Sequence, residues 1–287
     1  MNTATMIPTN DSSNSVFGCT DVGRQRPGNE DAFLVADLTE EGGFTVNASG
    51  HCSDEGASLL VVADGMGGAA AGEIASSMAV ATVCEVLTRT PVEQNIGEQL
   101  TRAAETANES IWTRALQDGS RCGMGSTLTA ALVRDGVAYI AQVGDSRAYL
   151  IRGARIRQLT KDQSLVQLLI DIGDITPEQA AHHPRKNVIL QALGASPTVK
   201  VEITTVELCR DDHLILCSDG LSNQVEPTEM QGAVAQSRDP ETACRQLVEL
   251  ANGRGGEDNI TVIVARFNGE NLCLSIETAI TASLNIK

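Results

Sequence analysis

Five apolar runs of strand length in this chain each carry a carboxylate at one end, and that arrangement constrains the fold more than any other feature. Asp64 closes LLVVA, Asp219 closes LILCS, Asp145 follows YIAQVG, Asp258 stands just before NITVIVARF, and Glu30 and Asp31 lead into AFLVA. Short apolar runs bounded by Gly, Asp and Asn read as buried strands. Singly, each acid has an ordinary reading: Asp before Gly is a common turn pair, and Asp or Asn beside a strand often bonds nearby backbone. As a set they are less ordinary. Neither VVADGMGG nor SDGLS is followed by a partner strand, so neither Asp-Gly pair reads as a hairpin turn.

Carboxylates gathered at one edge of a sheet stack repel each other unless a cation neutralises them. Hard oxygen donors without His or thiolate favour Mg²⁺ or Mn²⁺. A glycine after Asp64 leaves its own carbonyl open to close approach, which makes Gly65 a candidate ligand through the main chain.

The remaining pattern supplies the scaffold. Asp135-Gly136 between two β-rich runs and Gly153 in RAYLIRGARIRQLT predict hairpins. Helical spacing is predicted over 72–89 and 95–116, and again across ETACRQLVELANGRG, each with one apolar face. Residues 162–196 return to helical spacing between strands and read as an inserted excursion, with Gly173 and Pro177 as breaks. Strands interleaved with helix pairs, joined by antiparallel hairpins, point to an α+β fold.

Composition narrows the function classes. A net charge of −16 on 287 residues argues against non-specific binding to nucleic acid or anionic membrane. The N-terminus lacks the basic start and apolar core of a signal peptide, and no apolar stretch is read as long enough to span a bilayer, so a cytoplasmic protein is expected. Eight cysteines without a C-x-x-C pair read as reduced core thiols, not as a disulfide frame or zinc site.

TDVGRQRPGNEDA, VVADGMGG, GMGSTLTAALV, AQVGDSRAYLI, LTKDQSLV, HHPRKNVILQALG, LILCSDGLSNQV and GGEDNITVIVARF occur in this order. The series resembles the metal-dependent type 2C serine/threonine protein phosphatases, in a bacterial form, over about Phe17 to Phe267. The resemblance implies two antiparallel β-sheets packed as a sandwich, flanked by α-helices on both sides, with residues 162–196 as a flap. It implies a disordered segment over 1–15, a phosphatase domain over 16–268 and a C-terminal extension over 269–287.

Carried over by position, the resemblance has Asp64 bridging two Mn²⁺ or Mg²⁺ ions, Gly65 ligating through its carbonyl, and Asp219 and Asp258 holding the other metal. Glu30 and Asp31 match the acidic pair that binds the centre partly through water, Asp145 matches a ligand of a third, weaker metal, and Arg26 matches the arginine that grips the substrate phosphate. Two adjacent cations lower the pKa of a shared water and clamp the oxyanions that develop in an in-line displacement. Met66 stands where many eukaryotic relatives have a histidine acid, so the proton donor to the leaving oxygen is unassigned. His182 and His183, in the flap, read as surface residues.

Hydrolysis of phosphoserine and phosphothreonine on proteins, opposing a bacterial Ser/Thr kinase, is the implied activity. The implied partners are phosphorylated proteins, that kinase among them, with no nucleic acid or membrane, and a monomer is expected. Two other readings stay open: a catalytically weak regulatory or binding module of the same fold, and another Mg²⁺-dependent phosphohydrolase.

Overall fold

The apolar runs form strands in two six-stranded antiparallel sheets. A computed structural model describes residues 14–38, 44–46, 49–52, 57–89, 95–117, 123–269 and 272–273. The chain begins with β1 (Asn14–Asp21), β2 (Ala32–Leu38), β3 (Phe44–Val46), β4 (Ser49–Cys52), β5 (Ala57–Ala63) and the two-residue β6 (Gly65–Met66). Two long helices follow, α1 (Ala69–Arg89) and α2 (Ile96–Gln117), and then β7 (Gly125–Ser126), β8 (Leu128–Arg134), β9 (Val137–Val143), β10 (Arg147–Arg152) and β11 (Arg155–Gln158). The flap carries α3 (Leu165–Asp171) and α4 (Pro177–Ala181). The rest is β12 (Glu202–Glu207), β13 (Asp212–Cys217), α5 (Asp219–Ser222), α6 (Pro227–Gln236), α7 (Pro240–Gly253) and β14 (Ile260–Phe267).

One sheet runs β11-β10-β13-β14-β1-β4 and the other β12-β9-β8-β5-β2-β3, with β6 and β7 forming a separate ribbon. Leu60, Val62, Ala131, Leu150, Leu216 and Ile263 are among the residues that fill the space between the sheets. Leu59, Val61 and Leu132 face the other way, onto α1 and α2. Ile215, Val262 and Val264 pack against α6 and α7 on the far side. Every residue of β5 is buried because both of its faces are covered, which is why its sequence is a continuous apolar run rather than an alternating one.

Local chemistry sets the turns. Asp135 and Gly136 both take positive φ, 51° and 74°, as the tight hairpin between β8 and β9 requires. Helix α7 starts where Asp239 accepts from the Thr242 amide at 2.7 Å, with Pro240 in the first turn; a capping carboxylate and a proline there satisfy or remove free amides.

Strand register gathers the acids. Ala32 pairs with Ala63, so Asp31 and Asp64 leave adjacent strands side by side. In the facing sheet Asp21 pairs with Ile260 and Cys217 with Val262, which brings Asp258 and Asp219 to the corresponding end. Leu128 pairs with Val143, with Asp145 two residues further on.

Several expectations are corrected. Asn14 and Ser15 belong to β1, Asn14 paired with β4 and Ser15 with both β4 and β14, so the ordered sandwich starts before residue 16; residues 1–13 lie outside the described residues. The extension over 269–287 is described only at 269 and 272–273. The loop between the first two predicted strands contains β3 and β4, and α5 and α6 were not foreseen. Helix α1 begins at Ala69, before Gly72. Its segment Ala71–Arg89 has a mean hydropathy of 1.2 and is long and apolar enough to cross a membrane, contrary to the sequence reading. It lies against α2 and the β5 sheet, and half of it is buried there; a core helix in a soluble arrangement meets the same criterion.

Cys209 and Cys273 are joined as a disulfide, so not every thiol is free. The pairing is long-range: Leu272 packs on the inter-sheet core and the Arg210 amide donates to the Cys273 carbonyl, which sets the two sulfurs together. Cys84, Cys217 and Cys244 are buried free thiols and Cys19 is half-buried. Cys122 and the side chain of Cys52 lie outside the described residues.

Candidate active site

At the gathered strand ends is a cavity of about 250 Å³ into which Arg26, Glu30, Asp64, Gly65, Asp145, Asp219 and Asp258 all open. Asp31 does not line it but sits buried behind it, close enough for its charge to act on Asp64. All eight residues singled out in the sequence therefore meet at one place. A larger groove, about 670 Å³ between α6 and α7, contains none of them.

The Asp64 main chain is clamped. Its N–H donates to Thr127 Oγ1 at 2.9 Å, its carbonyl accepts from the Thr127 N–H at 2.8 Å, and Ser126 Oγ donates to the same carbonyl at 3.1 Å. Gly65 donates its N–H to the Glu30 carbonyl, and a Cβ at this position would lie 2.2 Å from the Gly72 carbonyl oxygen and 2.5 Å from that of Glu30. Only glycine fits so close to two main chains. Gly67 and Gly68 then turn the chain into α1 with φ of 117° and 91°.

Burial and like charge push the acids up. Asp64 is raised well above the ordinary carboxylate value by burial and by Asp31, Asp219 and Asp145. Asp31 and Asp145 are each raised to about 7, chiefly by burial. Asp219 is raised by burial and by Asp258, partly offset by a hydrogen bond with Asp64. Burial also raises Glu30, against the pull of Arg26. Such a cluster holds protons or a cation, since full ionisation without either is unfavourable.

The donor set fits hard divalent cations. Asp31 Oδ1 and Asp219 Oδ1 are buried oxygens without a hydrogen-bond partner, and a buried acceptor left bare is destabilising unless a ligand satisfies it. All the candidate donors are oxygen. Among the described residues no three His, Cys, Asp or Glu side chains already close into a cage. Arg26 instead holds Asp258 Oδ2 at 2.6 Å, which raises the guanidinium further above its ordinary value. The case for a metal therefore rests on the orphaned oxygens and their charge.

Comparison with known proteins agrees with this chemistry. The family profile of protein phosphatase 2C matches residues 45–251. This chain belongs to that family. It is 38% identical over 252 residues to the serine/threonine phosphatase stp of Listeria welshimeri, covering 87% of this chain and 94% of that one. It is 37% identical over 254 residues to the protein phosphatase PhpP of Streptococcus pneumoniae, covering 88% and 97%. The solved serine/threonine phosphatase of S. agalactiae superposes with a TM-score of 0.80 at 32% identity, covering 88% and 99% of the two chains. The catalytic domain of the phosphatase PstP, solved in complex with two manganese ions, superposes at 0.74 with 33% identity, covering 88% and 98%. The chain is a metal-dependent serine/threonine protein phosphatase of bacterial type, acting on phosphoproteins.

Some residues of this phosphatase site were not singled out in the sequence. Asn187 and Ile189 bring the flap to the cavity, and Thr127 and Asn259 line it too. Asn259 directly follows Asp258 in the sequence, the one local signal that could have marked it. Met66 also lines the cavity, so no histidine side chain opens into it at that position. His182 is exposed and His183 accepts from the Arg185 amide, both away from the cavity lining.

Proposed function

We propose that Asp64 and the Gly65 carbonyl, with Asp219 and Asp258, hold two Mn²⁺ or Mg²⁺ ions, that Glu30 and Asp31 support them, and that Asp145 serves a third, weaker ion. The buried, unpartnered Asp31 and Asp219 oxygens beside the strongly raised Asp64 are the observation that carries this reading. When bound, the ions supply charge neutralisation and a nucleophile at neutral pH.

The chain's own residues do the rest. Thr127 and Ser126 fix the Asp64 main chain, so its carboxylate is aimed before substrate arrives. Arg26, half-exposed at 48%, reaches from the β1–β2 loop across the cavity mouth, where a planar guanidinium matches two phosphate oxygens. Ser218 Oγ donates to Asp31 Oδ2 at 2.8 Å and accepts from the Thr261 amide at 3.0 Å, tying the acids of both sheets together. Asn187 and Ile189 of the flap line the cavity beside these groups.

The substrates are phosphoserine and phosphothreonine proteins modified by a Ser/Thr kinase, which this enzyme opposes; the chain works as a monomer in the cytoplasm. The acidic surface supports a protein substrate over nucleic acid or membrane. Hydrolysis of p-nitrophenyl phosphate and of a phosphothreonine peptide is expected to require Mn²⁺ and to vanish in Asp64→Asn. Activity surviving that substitution would reject the metal assignment, and turnover of nucleotides but not phosphopeptides would reject the substrate class.

A further inference from the structure

Asn259 holds the two halves of the site together. It is 5% exposed and lies at the sheet end between the β1–β2 loop and α5. Its Oδ1 accepts from the Glu30 amide at 2.8 Å, and its Nδ2 donates to the carbonyls of Val22 and Gly28, each at 2.9 Å. Both amide donors are thus used, and all three partners belong to the one loop that carries Arg26 and Glu30. Its main-chain N–H donates to Asp258 Oδ1 at 2.8 Å, and the other Asp258 oxygen takes Arg26 at 2.6 Å.

Glycines allow the close approach around it. A Cβ on Gly23 would sit 2.2 Å from the Asp258 carbonyl oxygen, and one on Gly220 would sit 2.0 Å from that of Asn259. The Asp258–Asn259 main chain is therefore pressed between the Arg26 loop and the helix bearing Asp219. Beyond Asn259, the loop is tied near its ends, by Gly23 N–H to Asp21, Arg24 N–H to the Gly256 carbonyl, Asn29 to Thr20 and Asp31, and the Glu30 carbonyl to Gly65 and Ser76, while the Arg26 side chain reaches only Asp258.

We propose that Asn259 is a positioning residue that sets where Arg26 stands relative to the Asp258 carboxylate, and so sets the enzyme's grip on the substrate phosphate without touching phosphate itself. The proposal rests on the reading of Arg26 as the phosphate-binding residue. Truncating Asn259 removes all three neutral hydrogen bonds that hold the loop; with part of that loss taken up by stability, roughly a tenfold effect falls on phosphate recognition.

The test is a double-mutant cycle on the full-length enzyme, read by KM and kcat for p-nitrophenyl phosphate, by inhibition with inorganic phosphate, and by calorimetric Mn²⁺ binding. Asn259→Ala is expected to raise KM and the phosphate inhibition constant about tenfold, with Mn²⁺ affinity within about threefold of wild type. In an Arg26→Ala background the same substitution is expected to change neither. Asn259→Asp has the same volume, keeps the contact to the Glu30 amide and loses both donor contacts; it covers the case in which the alanine variant does not fold. It is expected to weaken phosphate inhibition without weakening Mn²⁺ binding, and to lose most of that effect when Arg26 is absent. Additive effects of Arg26 and Asn259 substitutions, or a loss of Mn²⁺ binding at unchanged phosphate inhibition, would overturn the positioning role. If Arg26→Ala alone leaves phosphate inhibition unchanged, the reading of Arg26 fails, and the proposal with it.

Discussion

Replacing Asp31 by asparagine should change how the metal-free protein responds to pH. In the folded chain this carboxyl is raised from 3.8 to about 7, chiefly because burial strips its hydration, with Asp219 and Asp258 adding repulsion. A group whose folded pKa lies above its unfolded value stabilises the fold while protonated. That contribution is full at low pH and is lost as pH rises through about 7. Each unit corresponds to about 1.4 kcal/mol, so between pH 5 and pH 8 the wild type should lose roughly 2 to 3 kcal/mol that the variant, with nothing to ionise there, keeps. The amide can still accept from Ser218 Oγ, so the baseline effect is small beside this trend. Urea titrations in EDTA at pH 5, 6, 7 and 8 read the difference directly. The variant should gain on wild type between pH 5 and about 7 and level off by pH 8, and saturating Mn²⁺ should reverse the order by binding the ionised cluster of the wild type, worth about 2.7 kcal/mol at a hundredfold excess over Kd. A stability difference that stays flat with pH, or narrows on the alkaline side, would refute the placement of Asp31 in a desolvated acidic cluster.

Arg26→Lys keeps the charge but not the fork, and is expected to lower kcat/KM for a phosphothreonine peptide about tenfold, measured at saturating Mn²⁺. His213, half-buried beside Arg266, is pushed down to about 4, so stability is present above about pH 6.5 and is lost as pH falls toward 4. His213→Gln should flatten that loss by about 1 to 2 kcal/mol in acid titrations followed by circular dichroism. Gly220→Ala places a methyl 2.0 Å from the Asn259 carbonyl oxygen. It should destabilise the fold by about 1 to 3 kcal/mol and weaken Mn²⁺ binding by moving Asp219 away from Asp258, both measurable by thermal unfolding and calorimetry.

Much of this phosphatase is legible locally. The Asp135-Gly136 hairpin, the helices read over 72–89 and 95–116, and the buried strand ending at Asp64 follow from period and turn chemistry, because those signals act within a few residues. The strand β1 was harder to see. NSVFGCTD alternates weakly, and its strand character comes from pairing with β14 and β4, more than 200 residues and about 35 residues away in sequence. Short α5, four residues long, likewise has too little period to read, and its Gly220 is required by the close approach to the Asn259 carbonyl. The Cys209–Cys273 bridge has no spacing signature at all, since its geometry comes from Leu272 settling on the core.

The sequence by itself determined which residues carry the charge, carboxylates at five strand ends, and that a glycine stands directly after Asp64. That information is local, for it depends on what each residue is and what its neighbours permit. Only the tertiary structure decided how those residues meet. Sheet register sets Asp31 beside Asp64, the face-to-face packing of the two sheets brings Asp219 and Asp258 opposite them, and Asn259 ties the loop that carries Arg26 to that edge. Mutual repulsion, desolvation and the fit to a cation exist only at those distances, and pairing across the whole chain creates the distances.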